Sequence, residues 1–395
     1  MLDNTGTRQL AYVVKIDDIK PIPGRDRVEC AVVGGWTCMV PKGAFQPNDL
    51  GIYFEIDSKL DTSKPEFAFL EKYHGAIKTQ KFKNKDGSYF YSQGLLMSAE
   101  DLGLSNLKEG EFLTEKLGVI YASLEDNKRK ANSVDKYKRM AQLYPNVFKN
   151  KFIRWIYRRE WGKKFLFIFF GHKAKKTTWP QWVQKTDEER VQNIPYILAD
   201  KQAWFATEKV DGTSTTFTLH RGKMPWDKND YRVCSRNVCF DKPDKKCYYD
   251  TNVYLEMSEK YDVEKVLTDI LNKNPTCEFI TIQAETYGEG IQKRDYSLKG
   301  HDMAAFNLIY GFRNGEKMRL NPREMTNVLK YYNIPCVPIV DEHFILPDTV
   351  DELLAIATDS SAIDGGMREG LVFRSYDGVQ SFKAVSNEFL TTFHK

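Results

Sequence analysis

A basic block divides this sequence and dictates how it can fold. Between positions 128 and 176 there are sixteen lysines and arginines against two acids, Asp135 and Glu160, a net charge of +14 in 49 residues. The whole chain carries only +4, so the remainder carries −10. So dense a run of like charge cannot be the interior of a packed domain, and the cores must lie on either side of it. The 395 residues therefore read as two domains joined by a connector, 1–115, 116–178 and 179–395, in keeping with domains of about 100–200 residues each.

Both flanks can bury real cores, since 42% of the residues are hydrophobic and 13% aromatic. The longest apolar run, 165–170, holds six residues, far short of the roughly 18 needed to span a bilayer. Nor do the first eight residues resemble a signal peptide. The expectation is a soluble, cytoplasmic chain with no membrane contact and no obligate protein partner. Seven scattered cysteines fit reduced thiols better than a disulfide framework. Only Cys234, Cys239 and Cys247 cluster, and their spacing lacks the C-x2-C pairs of most zinc sites.

Short strand-like runs at 10–16, 28–33, 36–40 and 51–56, punctuated by Pro21, Pro23, Gly24, Gly34 and Gly35, predict a small amino-terminal barrel of OB type. The stretch 78–85 sets Lys78, Lys81, Lys83 and Lys85 around Phe82. It reads either as a nucleic-acid contact or as a solvated hairpin tip. The connector reads as helical over 134–144 and 147–161, with Pro145 separating the two pieces. Its cations, interleaved with Trp155, Tyr157 and Trp161, could track a phosphate backbone while the rings stack on bases. Equally, it could be a solvated linker whose aromatics pack on a neighbour.

Past position 179 the pattern becomes mixed α/β. Thr186 and Glu189 have the spacing of a capping box at a helix start, and Arg190, Gln192 and Asn193 crowd the exit of that segment. A strand-like run ends at Glu208-Lys209-Val210-Asp211-Gly212, and a β-branched strand follows at 213–219. A lysine amine is a nucleophile only when unprotonated, so a site using one must lower its pKa. By itself K-x-D-G is also a common surface turn. Downstream, alternation over 276–288 puts Phe279, Thr281, Gln283 and Glu285 on one strand face and Ile280, Ile282 and Ala284 on the other. Glu369 stands at the lip of another strand and Lys383 on a third. Lys209, Asp211, Glu285, Glu369 and Lys383 together could bind a nucleoside triphosphate and a hard, oxygen-seeking metal, through water.

This series of motifs resembles the covalent nucleotidyltransferase superfamily of RNA ligases, DNA ligases and mRNA capping enzymes. The resemblance implies that Lys209 forms a lysyl-nucleotide and that Glu208 and Gly212 belong to the same motif. It implies that Arg236, within Ser235-Arg236-Asn237, serves the ribose or the nucleic-acid strand, and that Phe306 stacks on the base. Asp211, Glu285 and Glu369 would support Mg²⁺ or Mn²⁺ through water, and Lys383 would contact the α-phosphate. Where many members carry a second lysine two residues after the first in the fifth motif, this chain has Val385.

Capping enzymes and DNA ligases usually place an OB domain after the fifth motif, whereas here only twelve residues follow Lys383. The barrel comes first instead, as in the ATP-dependent RNA ligase clade with an amino-terminal OB domain. That clade also resembles this chain at 22–29, 53–58, 92–95 and 185–193, which adds Arg190, Gln192 and Asn193 to the expected nucleotide site. The implied fold is α+β: an amino-terminal OB-like barrel, a helical basic connector, and a nucleotidyltransferase domain of ATP-grasp-like antiparallel sheets. The implied reaction joins RNA 3′-hydroxyl and 5′-phosphate ends through lysyl-AMP and 5′-adenylylated RNA, with nicked duplexes as the expected substrate. The alternatives are an RNA-binding protein with an inactive transferase domain, and a capping-type guanylyltransferase.

Overall fold

A computed structural model describes residues 1–3, 7–122, 145–170, 179–185, 187–222, 224, 226–240 and 251–394. The amino-terminal strands pair as expected for a small barrel. Ala11–Lys15 lies antiparallel to Leu50–Phe54, which pairs with Leu95–Met97, while Asp18–Pro21, Val28–Val33 and Trp36–Pro41 form a second meander. The barrel runs on to Ile120–Tyr121, which pairs with Ser58–Lys59. Segment 78–85 lies on a hairpin, Gln80–Lys83 against Tyr89–Ser92.

Within the basic connector, the predicted helix over 134–144 lies outside the described residues. The predicted 147–161 helix is three shorter ones, Pro145–Phe148, Lys151–Tyr157 and Glu160–Phe170. Asn150 caps the second, its side chain accepting from Phe152 N–H. The last two pack closely because residue 162 is glycine; a Cβ there would lie 1.9 Å from Ile156 O. Phe148, Ile156 and Leu166 form their small core.

The carboxyl-terminal part is built on two sheets. One has five strands in the order Glu189–Arg190, Ser381–Val385, Gly370–Ser375, Ala203–Lys209, Ile339–Ile345, antiparallel apart from the short pairing of Glu189–Arg190. The other has six, in the order Cys239–Phe240, Asp230–Ser235, Thr213–His220, Cys277–Gly288, His301–Phe312, Lys317–Arg319. Ile280, Ile282 and Ala284 enter the large core beneath the second sheet, with Leu267, Ile270 and Leu271 of helix Val263–Lys273. The alternation read from the sequence is thus realised, although both faces of that strand are largely buried. Among the described residues no α-helix starts at 189. Glu189 is in a two-residue strand and 191–193 is a single 3₁₀ turn; Thr186 lies outside the described residues.

The barrel docks on the five-stranded sheet. Val385 and Leu390 are buried in one cluster with Tyr12, Trp36, Tyr53 and Leu96 of the barrel. Polar ties surround this patch: Gly35 N–H donates to Gln192 O at 2.8 Å, Trp36 Nε1 to Asn193 Oδ1 at 2.6 Å, and Gln93 Nε2 to Asn387 Oδ1 at 2.8 Å.

Candidate active site

The strand Ala203–Lys209 ends on one sheet and Thr213–His220 begins on the other, so Val210-Asp211-Gly212 is the crossing point between them. Glycine is required at 212 because a Cβ would sit 2.3 Å from Thr286 O. The missing side chain makes room for the neighbouring strand.

Lys209 pairs in register with Gly370, which brings Glu369 directly against it. Its Nζ donates to both Oε1 and Oε2 of Glu369, each at 2.7 Å, with Lys209 25% exposed and Glu369 7%. Glu285 arrives from the other sheet, opposite Ser214. Burial alone would push the Lys209 ammonium down, but Glu369, Glu285 and Asp211 outweigh it and hold its pKa above the ordinary lysine value. In this arrangement the lysine is a cation.

Asp211 is buried, and its backbone N–H donates to Tyr296 Oη at 2.7 Å. His394 Nε2 lies 3.3 Å from Asp211 Oδ1, and this contact raises the imidazole pKa against the lowering effect of burial. Asp211 Oδ2 is buried with no hydrogen-bond partner. A buried, undonated carboxylate oxygen beside two further carboxylates fits a divalent cation. Among the described residues no three acidic, histidine or cysteine side chains are grouped to ligate an ion directly. Cys234 and Cys239 are buried cross-strand neighbours, and Cys247 lies outside the described residues.

Lys209, Asp211, Glu285, Phe306, Glu369 and Lys383 all line one cavity of about 480 Å³. Phe306 is half-buried, its ring 6.0 Å from the guanidinium of Arg374. Lys383 is 13% exposed, and desolvation together with cationic Arg8, Arg190 and Lys209 brings its pKa down to about 8 despite Asp187. Arg190 and Arg236 also line the cavity, Arg190 paired to Asp57 at 3.3 Å and Arg236 to Asp187 at 2.8 Å. Glu208 and Gly212 border it too. The Glu208 carboxylate, however, accepts from Ser361 Oγ and from Ala362 N–H at 2.8 Å, clipping the loop that leads to Glu369.

Two expected residues do not reach the cavity. Gln192 and Asn193 lie in the seam with the barrel, where Asn193 accepts from Trp36 Nε1 and Tyr12 Oη and donates to Glu55 and Glu189. The barrel lysines are elsewhere as well. Lys78 and Lys83 are exposed, while Lys81 bonds Glu388 at 3.1 Å and lies over the Tyr89 ring.

The sequence reading missed Arg8, Asp187, Glu188, Arg374 and His394, all on the cavity wall. Asp187 and Glu188 stood inside the stretch 185–193 that carried part of the resemblance, so position was a usable signal for them. Arg8 and His394 gave none, being close to Asp187 and Asp211 only through the fold.

Two family patterns match this chain: one described as RNA ligase, over residues 202–385, and one described as an OB-fold domain, over 10–97. No curated protein matches. Among solved structures, a Naegleria gruberi RNA ligase variant with ATP and manganese is 28% identical, covers 98% of this chain and 100% of its own, and superposes with a TM-score of 0.70. The same enzyme with pyrophosphate is 27% identical, covers 98% of each chain, and has a TM-score of 0.69. A further variant with AMP and manganese is 27% identical, covers 98% of this chain and 99% of its own, with a TM-score of 0.69.

Proposed function

We propose, for a chain that belongs to the ATP-dependent RNA ligases with an amino-terminal OB domain, that it seals nicks in duplexes carrying RNA on the 3′-hydroxyl side, as in RNA repair. The observation that carries the site assignment is the enclosed lysine. Lys209 Nζ sits against Glu369 in a cavity that also holds Phe306 and Lys383.

The Lys209 amine attacks the α-phosphorus of ATP; the N–P bond forms as the bond to the bridging oxygen breaks, and pyrophosphate leaves. AMP then passes to the RNA 5′-phosphate, and a 3′-hydroxyl attacks that phosphorus and releases AMP. Phe306 stacks on the adenine, and Lys383 neutralises charge that builds on the α-phosphate. The sheet crossing at 210–212 fixes the amine relative to both, which is the alignment such a reaction requires. Asp211, Glu285 and Glu369 would hold Mg²⁺ or Mn²⁺ through water, and the ion would supply positive charge that offsets these carboxylates and favours the neutral amine of Lys209. Arg190 and Arg236 stand on the wall where ribose or strand phosphates would pass.

The test is incubation with α-labelled ATP and divalent metal. The native chain should take label and Lys209→Ala should not; an unlabelled native chain sinks the enzymatic reading in favour of an RNA-binding protein. Offering GTP in parallel separates a guanylyltransferase. Comparing nicked duplexes with RNA or DNA on each side, and single-stranded ends, tests the substrate: equal sealing of single strands contradicts the nick assignment.

A further inference from the structure

Residues 289–300, between strands Cys277–Gly288 and His301–Phe312, run behind the sheet crossing that carries Asp211. The ladders of the two sheets end at Lys209 and resume at Thr213, so the crossing must be held by other means. Segment 289–300 supplies them. Asp211 N–H donates to Tyr296 Oη at 2.7 Å, and Gln292 Nε2 donates to Gly212 O at 2.8 Å. Tyr296 is packed in one cluster with Val210, Tyr287 and Val337, its ring 4.9 Å from that of Tyr287. Burial, together with the Glu369 carboxylate, holds the phenol above its ordinary pKa, so its oxygen stays a neutral acceptor.

The same segment reaches the loop that leads to Glu369. Arg294 Nη2 donates to Asp364 Oδ1 at 2.5 Å, and that oxygen also accepts from Gly366 N–H at 3.0 Å. The Arg294 guanidinium lies 3.7 Å from the centre of the Tyr296 ring, a cation–π contact that gains strength where water is excluded. Two costs accompany this arrangement. Tyr296 and Ser297 both adopt left-handed backbone, with φ of 55° and 53°, which is rare for a bulky side chain. Arg294 Nη1 is also buried with no hydrogen-bond partner. Such strain and such an orphaned donor persist where the surrounding structure enforces them, and they gather at functional sites.

We propose that Tyr296 and Arg294 are positioning residues that lock the turn carrying Asp211 to the loop carrying Glu369, and so fix the two carboxylates on either side of Lys209. Neither side chain lines the cavity; they act through the backbone of Asp211 and through Asp364. This rests on the lysyl-AMP reading of the site. Loosening the lock misaligns the amine with the α-phosphorus, so its loss is felt in the rate of attack and not in the binding of ATP.

The experiment is single-turnover label uptake from α-labelled ATP with divalent metal by the full chain, read as a maximal rate and a half-saturating ATP concentration. If the native chain takes no label, or Lys209→Ala does, the lysyl-AMP reading has failed before any other variant is compared. Given native uptake, Tyr296→Phe keeps the ring and removes the hydroxyl. It should lower the maximal rate by roughly 10- to 100-fold while half-saturating ATP stays within about 2-fold. Arg294→Ala should lower the rate by a similar factor, and Arg294→Lys, which keeps a cation over the ring, should recover part of it. The double variant should be at most about 3-fold slower than the slower single one, because the two residues form one lock. Where Arg294→Ala does not fold, Arg294→Lys replaces it in the double variant. A native maximal rate in Tyr296→Phe, or a loss confined to half-saturating ATP, overturns the positioning role. Losses that multiply in the double variant overturn the lock and leave two independent structural contacts.

Discussion

Lys383 is the cation on the phosphate side whose charge is easiest to lose. Because its pKa is lowered to about 8, it carries its charge below that pH and sheds it above. The expected outcome is that kcat/KM for ATP in lysyl-AMP formation falls as pH rises through about 8, since this ratio reports groups of the free enzyme. Lys383→Arg should remove that alkaline limb, and an unchanged profile would refute the assignment. Phe306 gives a second residue-level prediction. Phe306→Ala should raise KM for ATP by roughly 3- to 10-fold, the worth of an aromatic stack, while Phe306→Tyr should stay near the native value. Steady-state labelling distinguishes the two variants. Lys209 and Glu369 were legible in the sequence because each sits at a strand end, and Glu285 because it falls on the polar face of an alternating strand. Arg8 and Asp187 were not, because a contact across 179 positions leaves no period behind.

At the scale of elements, the loop before strand Gly370–Ser375 decides where Glu369 points. Ser361 and Ala362 are fastened to the Glu208 carboxylate, and the loop leaves a helix, Val350–Ala357, whose start carries a full capping box from Thr349 and Glu352. Thr349→Ala should cost about 1 kcal/mol of stability, seen as a lower midpoint in denaturant, with label uptake nearly native. Glu208→Gln should instead slow label uptake, because a neutral amide cannot accept from both donors as strongly. If both variants lose only stability, the clip does not position Glu369. The sequence placed these strands well and the connecting segments poorly. The 147–161 helix breaks after Tyr157 because the chain doubles back on itself at Gly162, a tertiary contact that local propensity does not encode.

Across the whole molecule, the helices 145–170 lie outside both matched family segments and present Phe152, Trp155, Trp161, Phe165, Ile168 and Phe169 to solvent. That favours a contact surface over a linker whose rings pack on a neighbour. Arg159 stacks over Trp155 at 3.9 Å, and Lys151, Arg158 and Lys164 are exposed beside these rings. As an RNA-tracking surface, it predicts that changing Arg158, Arg159 and Lys164 to glutamine weakens duplex binding and lowers the slope of log K against log salt by about 2 to 3. Label uptake from ATP should keep its native rate. An unaltered salt slope excludes these helices from the RNA contact. The charge segregation that announced the segment was visible at once; which rings face outward required the fold.

The seam built from Val385, Leu390, Trp36 and Asn193 has a consequence for anyone who would cut or recombine such enzymes. A transferase fragment starting at 179 would expose Val385 and Leu390 to water and lose the Arg8 tie to Asp187, so it should be sticky. A chimera with a foreign barrel would inherit the donor's residue at position 8 and its fit to Val385. The smallest unit that can be transplanted between ligases is therefore the barrel together with the sheet it rests on.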